Sequence, residues 1–252
     1  ERYVVNHRID FKPINNFRIG FYEQIIFGAK SPPFSYLIPI NPLWSAQHSG
    51  NDTDNLLIGL DFDYIFKKYR VYGSLIIDEW ALFDTFSNNE RNWFAHQIGL
   101  SKILNIYNKK ALFKVEYSKV DPRVYRHRYI INQPKHNGYN LGFWSGSDSD
   151  NLYTNLSIFI NDQSIIKFTY QYTRIGNQND LEILENQYDN LNVVFLGENI
   201  NIIKNIGLLY STSFKYSIMF DFEVNKISTN IFSDSLTDYT EIKVNFRYNI
   251  NY

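Results

Sequence analysis

The chain has 252 residues, of which 44% are hydrophobic and 17% aromatic, with a formal net charge of −1 and no cysteine. The near-neutral charge gives no electrostatic basis for binding nucleic acid, and the lack of cysteine excludes disulfides and thiolate metal sites. No run of about 18 apolar residues occurs, which excludes a transmembrane helix. The sequence begins at Glu1 and contains no signal peptide of its own, so we expect a mature form or a fragment.

Apolar and polar side chains alternate with period two along most of the chain, the pattern of β-strands. In the N-terminal part the alternating apolar positions are Tyr3, Val5, Ile9, Phe11, Phe17, Ile19, Phe21, Ile25, Phe27, Leu56, Ile58, Leu60, Phe62, Tyr64, Tyr69, Val71, Leu75 and Ile77. Further strands are predicted near residues 92–104, 110–119, 151–160, 164–175 and 193–213, then around Tyr216–Val224 and from Ile242 to the last residue. The sequence therefore predicts about eleven strands, or twelve if one has been missed.

The predicted connections alternate between tight turns and long loops. The long loops are predicted at residues 29–53, 79–91, 120–150, 176–191 and 226–238. Short turns at one end and long loops at the other are typical of an up-and-down antiparallel sheet, here expected as a single all-β domain over residues 1–252. Its strands often reach about ten residues, more than the usual five to six or so.

Alternation alone does not say whether the apolar face meets a core or lipid. Strand length matches a tilted membrane span of about nine to eleven residues, and Tyr64, Tyr117, Tyr172 and Tyr216 fall near strand ends, as in interfacial girdles. These features favour a transmembrane β-barrel in a bacterial outer membrane, over a soluble β-sandwich such as a carbohydrate-binding module. Glu23 and Lys204 fall on apolar faces and are expected near an interface or a register shift.

The polar face is expected to line the barrel lumen. Asp61, Asp63 and Asp78 alternate with apolar residues and are predicted to pair with Arg18 and Arg70. Since the same residues would serve as a selectivity lining, a porin or export channel stays open as an alternative.

The chain ends in mid-alternation on an aromatic residue. Phe246, Tyr248 and Tyr252 share one parity and resemble the C-terminal signal that the barrel-insertion machinery reads. An odd number of strands is unusual for a bacterial barrel, which must close to remove its edges. We therefore expect that upstream strands are missing from this chain.

Three segments carry a family resemblance: "NPLWSAQHSGNDTDNLLIGLDFDY" (41–64), "YSKVDPRVYRHRY" (117–129) and "NGYNLGFWSGSDSDNLY" (137–153). In this order they resemble the Wzi-like capsule-assembly proteins. The resemblance implies an eighteen-stranded outer-membrane barrel that binds surface or capsular polysaccharide and helps to anchor or assemble capsule. This chain would be its C-terminal part, with outer-membrane lipid and lipopolysaccharide as further partners.

Two of the long loops contain side chains suited to binding an acidic glycan. Aromatic rings can stack on sugars, and the arginine guanidinium group can bind a carboxylate through two hydrogen bonds. The candidate polysaccharide-binding residues are Trp44, His48, Arg123, Tyr125, Arg126, His127, Tyr139 and Trp144. Arg123, Arg126 and Arg128 share one parity, so they would share a face if that stretch is extended. The alternative roles are packing of Trp44 on the rim, and pairing of the arginines with lipopolysaccharide phosphates or with Asp148 and Asp150.

Catalytic and metal motifs are absent from the sequence. The five histidines lack metal-ligand spacing, and Asp148 and Asp150 are expected to order a loop or start a strand rather than to hold calcium. No nucleophile elbow, P-loop or dinucleotide fingerprint is present. We therefore expect a non-enzymatic, lectin-like protein without a cofactor.

Overall fold

The fold is known from a computed structural model, which describes residues 1–28, 31–49, 53–85, 87, 90–176, 193–214, 218–231 and 235–248. Eleven antiparallel strands form one sheet in which chain neighbours are sheet neighbours. They are β1 (Arg2–Ile14), β2 (Phe17–Gly28), β3 (Asn55–Phe66), β4 (Tyr69–Trp80), β5 (Asn92–Ile106), β6 (Lys109–Val120), β9 (Ser149–Phe159), β10 (Ser164–Gly176), β11 (Ile200–Phe214), β12 (Ile218–Thr229) and β13 (Thr237–Tyr248). A separate small hairpin, β7 (Lys135–His136) with β8 (Tyr139–Asn140), lies between β6 and β9. The prediction of an up-and-down antiparallel sheet is confirmed.

Tight turns and long loops alternate as predicted, but two boundaries differ. Strand β11 begins at Ile200 rather than near 193, and the last long connection covers residues 230–236 rather than 226–238. At the second boundary the backbone ladder continues through Lys226–Thr240 and Thr229–Thr237. The apolar alternation stops before the hydrogen bonding does, so side-chain patterning predicted a longer connection here than the one observed.

The helices are short and lie in the long connections. Among the described residues they are the α-helix α1 (Leu43–Ser49) and three 3-10 helices, Phe34–Leu37, Leu82–Asp84 and Ile130–Asn132. In the part of the chain that the structure describes, no helix has both the length and the apolarity needed to cross a membrane.

The apolar face of the sheet is exposed and the polar face is covered, the reverse of the usual arrangement in a soluble protein. Large apolar side chains on one face are open to solvent, with Ile98 54%, Ile206 60% and Phe246 74% exposed. On the other face polar side chains are covered, with Thr173 fully buried and Asn225 3% exposed. A β-sandwich needs a second sheet over its apolar face, and among the described residues the second sheet is the β7–β8 hairpin. The soluble sandwich does not fit this arrangement.

Aromatic rings lie over glycines on the polar face. Tyr22 is the register partner of Gly59, and Tyr72 is the register partner of Gly99. A Cβ at Gly59 would lie 1.9 Å from the Tyr22 ring, so only glycine leaves room for it. Each ring therefore fills the space above the glycine of the next strand, so tyrosine side chains pack against the backbone on the polar face.

Ion pairs connect strands across the polar face. Arg70 pairs with Asp63 at 2.5 Å, as predicted. Asp61 pairs with Arg8 at 2.6 Å and not with Arg18, which lies opposite Asp63 in the register. The predicted lumen-lining residues Arg18, Asp61, Asp63, Arg70 and Asp78 share this face, and Asp78 accepts a hydrogen bond from the Tyr125 amide at 2.8 Å.

The predicted assembly residues on β13 face away from the ion pairs. Phe246 lies opposite Phe220 with ring centroids 5.0 Å apart, and Tyr248 lies opposite Ile218. Both belong to the exposed apolar face. The predicted residues Tyr216 and Tyr252 lie outside the described residues.

Candidate functional site

Two long loops pack on opposite faces of the same strand ends. The segment with α1 folds onto the apolar face, where Leu43 and Tyr36 pack with Ile25 and Phe27. The Glu23 carboxylate accepts a hydrogen bond from the Leu43 amide at 2.8 Å. This contact explains an acidic residue on the apolar face, since it holds the first turn of α1 against the sheet.

The second loop, residues 121–148, is called the strap because it crosses the polar face of the sheet. Near its start Val124 and Tyr125 are buried against Leu57, Trp93, Ala95 and Val120. Tyr125 has a φ of 66°, and its hydroxyl accepts a hydrogen bond from the Phe143 amide at 3.3 Å. Burial in this cluster raises the pKa of Tyr125 to about 12.

Further along, the strap reaches the ends of β1 and β2. Asn132 accepts a hydrogen bond from the Gly28 amide at 2.8 Å, and Arg2 donates to the carbonyl oxygens of Ile130 and Ile131. The strap is therefore fastened at several strands rather than only at the two strands that it connects.

A cavity of about 610 Å³ lies between α1, the strap and the ends of β3 and β4. Its volume falls in the range of small-ligand sites, about 300–1,000 Å³. The lining residues are Trp44, Gln47, His48, Asp54, Asn55, Leu56, Ile58, Ile77, Asp78, Glu79, Trp80, Arg91, Arg126, His127 and Arg128. Two tryptophans, three arginines, two histidines and three carboxylates thus face one space.

Aromatic faces at the cavity are open to a ligand. Trp44 is 53% exposed and Trp80 is 46% exposed. The Trp44 ring centroid lies 4.5 Å from that of His48, whose Nδ1 is 2.9 Å from the Trp44 carbonyl oxygen. The helix therefore fixes both rings side by side at the cavity edge.

The basic side chains of the strap differ in burial. Arg126 is 9% exposed, and this burial lowers its guanidinium pKa, against the opposing effect of nearby Asp148. Arg128 is exposed, and its guanidinium carbon lies 5.1 Å from the Tyr129 ring centroid. Of the two strap arginines that line the cavity, one is thus buried and the other is exposed.

Two of the cavity carboxylates hold loop segments in place. Asp54 accepts a hydrogen bond from the Tyr36 hydroxyl at 2.7 Å, and Asp78 accepts from the Tyr125 amide at 2.8 Å. Each ties a loop to a strand end. Within the described ranges, no group of acidic and histidine side chains is arranged to hold a metal ion.

Half of the predicted binding residues line the cavity and half do not. Trp44, His48, Arg126 and His127 line it. Arg123 and Tyr125 are 2% and 5% exposed and belong to the packed interior, with Arg123 lying 5.4 Å from the Trp93 ring centroid. Burial leaves these two no surface for a glycan.

The remaining two predicted residues are exposed elsewhere. Tyr139 is 78% exposed on β8, and Trp144 is 50% exposed near Phe143. The shared face predicted for the three arginines does not form, because residues 122–125 make a turn and not an extended segment. Arg123 therefore points into the core whereas Arg126 and Arg128 line the cavity.

Of the aspartates in the "SGSDSD" segment, Asp148 orders a loop and Asp150 lies at the start of a strand, in keeping with the predicted loop-ordering or strand-initiating roles. Asp148 is 1% exposed and accepts a hydrogen bond from the Leu196 amide at 2.8 Å. Its burial raises the pKa of its carboxyl group. Asp150 lies at the start of β9 and accepts two hydrogen bonds from Arg174, at 2.9 and 2.5 Å.

Sequence reasoning missed the acidic wall of the cavity and two of its larger side chains. Asp54, Glu79, Trp80 and Arg91 were not among the candidates, although all lie at or next to a strand end on the long-loop side. Their position at strand ends could be predicted from the sequence. The sequence did not show which strand ends lie beneath the same loop.

Comparison with known proteins places the chain in a family. The family model described as "Capsule assembly protein Wzi" matches residues 1–225. The chain belongs to the Wzi capsule-assembly family. No curated protein and no solved structure matches it. The predicted resemblance is confirmed, and all three sequence segments that suggested it lie inside the Wzi match. Membership supports a role in capsule assembly.

Proposed function

We propose that this Wzi-family chain is part of an outer-membrane β-barrel that binds surface or capsular polysaccharide in the cavity beside α1, and so helps to anchor or assemble capsule. The observation that carries the proposal is the cavity itself. It joins exposed tryptophan faces, arginines and carboxylates from three of the long connections at one end of the sheet.

The exposed apolar face supports membrane placement. On β11 the outward side chains run from Phe214 through Tyr210 and Leu208 to Ile206. Eight residue steps at about 3.4 Å span about 27 Å along the strand. At a tilt of about 40° this corresponds to a height of about 21 Å, close to the apolar band of about 25 Å on such barrels.

The mixture of charges at the cavity supports a polyhydroxylated acidic ligand. Arg128 and the buried Arg126 can donate to a sugar carboxylate, since arginine makes paired charge-assisted hydrogen bonds. Glu79, Asp54 and Asp78 offer acceptors for sugar hydroxyl groups. A ligand with phosphate alone would offer these carboxylates no hydroxyl donors, so an acidic glycan with many hydroxyl groups fits better.

The strap favours binding over conduction. Val124 and Tyr125 pack on the polar face at the ends of the strands, where a channel would open. Asp54 and Asp78 hold loops in place through their hydrogen bonds, so the proposal includes no acid–base pair and no catalytic step. We expect no conductance in planar bilayers and no new reducing ends when the protein is incubated with a glycan.

Glycan binding can be measured directly with the detergent-solubilised protein. Isothermal titration calorimetry would compare an oligosaccharide that contains uronic acid with a neutral oligosaccharide of equal length. Saturable heat with the acidic sugar, and much weaker heat with the neutral one, is the expected result. Equal heats, or no heat with either, would contradict the proposed site.

A further inference from the structure

The outward face of the sheet changes from apolar to cationic along one edge. On β10 the outward residues run from Phe168 to Tyr172 and then to Arg174. On β11 Ile206 is followed by Lys204, and on β12 Val224 is followed by Lys226. All three basic residues lie towards the long loops. We call Arg174, Lys204 and Lys226 the cationic row.

Strand register places the row on a diagonal across three strands. Lys204 lies opposite Tyr172 on one side and opposite Ser228 on the other. Arg174 and Lys226 are each two residues away from those partners, a diagonal spacing of about 7–8 Å between neighbours. Each neighbouring pair of cationic side chains therefore lies close enough to approach one headgroup together.

The row is accessible and only partly neutralised. Lys226 is 3.6 Å from Asp238, and both side chains are more than half exposed, so this pair is weak. Arg174 makes two hydrogen bonds to the nearly buried Asp150. In the described part of the chain Lys204 has no carboxylate within ion-pair distance, and its ammonium nitrogen lies 5.7 Å from the Tyr172 ring centroid. The two lysines are thus the cations open to a ligand.

We propose that the cationic row binds the phosphate groups of a lipid headgroup, from a phosphorylated glycolipid in the leaflet beside the long loops. The inference rests on the proposed membrane placement but not on glycan binding at the cavity. Acyl chains would lie against Phe168, Ile206 and Val224 directly below, which continue the exposed apolar face. Lysine ammonium groups bind phosphate as point charges, and tyrosine is favoured at this depth. Free phosphate would lack the apolar contact, so lipid is the occupant that uses both features.

The test compares two charge-matched double variants in vesicles. Lys204→Gln/Lys226→Gln removes two cations of the row, while Lys167→Gln/Lys243→Gln removes two lysines from the polar face. Arg174 is left in place because its loss would leave the nearly buried Asp150 carboxylate without its ion-pair partner. Vesicles contain phosphatidylcholine alone or with diphosphoryl lipid A, and native mass spectrometry of the extracted protein counts the retained lipid A. Inorganic phosphate is added as a competitor.

We expect the wild type and the polar-face variant to retain lipid A in preference to phosphatidylcholine. At about 1 kcal/mol for each lysine near a charged surface, the row variant should retain it about 30-fold more weakly. Equal retention by both double variants, or displacement of lipid A by millimolar phosphate, would overturn the inference. Vesicle flotation measures membrane association separately. Protein that floats with neither vesicle type would overturn the membrane placement as well. Protein that floats with both but retains no lipid A would overturn only the cationic row.

Discussion

Replacing Trp44 with alanine should weaken glycan binding about 15-fold. A tryptophan side chain presents about 250 Å², and 53% of Trp44 is exposed, which leaves about 130 Å² open to a sugar. If a sugar ring covers half of that area, about 65 Å² leaves water, worth about 1.6 kcal/mol at about 25 cal/mol per Å². Titration calorimetry with the uronic-acid oligosaccharide would measure the ratio of dissociation constants.

Trp144 provides a matched control for this substitution. It is 50% exposed, nearly the same as Trp44, but it does not line the cavity. Trp144→Ala should leave the dissociation constant within about twofold, because its exposed ring lies elsewhere on the strap. Equal losses from the two substitutions, or no loss from Trp44→Ala, would refute the placement of the glycan beside α1.

Three further changes test the charge, packing and loop contacts. Arg128→Gln should weaken binding of the acidic oligosaccharide about tenfold or more by removing a charge-assisted hydrogen bond, with Arg18→Gln on the polar face as a control without effect. Gly59→Val should lower the free energy of unfolding by about 1–3 kcal/mol, since a Cβ there meets a tyrosine ring, and urea titration in detergent micelles would show an unchanged midpoint if the ring can move away. Asp148→Ala should speed hydrogen exchange of the Leu196 amide about tenfold or more; unchanged exchange would show that this contact does not hold the loop.

The sheet was predictable from the sequence because its side chains repeat every two residues. Tyr3, Val5, Ile9 and Phe11 share a face in the register with β2, as their spacing predicts. The alternation failed where polar residues continue a strand, as at Lys226, and where apolar residues precede one, as at 193–196 before β11. At such positions the backbone ladder decides the strand end, and side-chain type carries no signal of it.

The loops were less predictable because contacts distant in the chain decide their paths. Seven residues are too few for α1 to show a helical pattern, and its seat on Ile25 and Phe27 depends on tertiary packing. Parity predicts a shared face only for an extended segment, whereas Tyr125 adopts a positive φ and turns Arg123 into the core. Residue type thus suggested the chemistry of the site, while the fold selected which residues take part.

The central claim is that the apolar face of the sheet contacts lipid. Because the chain has no cysteine, Leu208→Cys and Leu209→Cys can each carry a single fluorescent label on adjacent residues of opposite faces. Leu208 lies in register with Phe168 and Val224, and Leu209 lies in register with Lys167 and Glu223. In vesicles, a quencher attached to lipid acyl chains should quench the label at 208 strongly and the label at 209 weakly. Equal quenching at both positions, or stronger quenching at 209, would contradict the account.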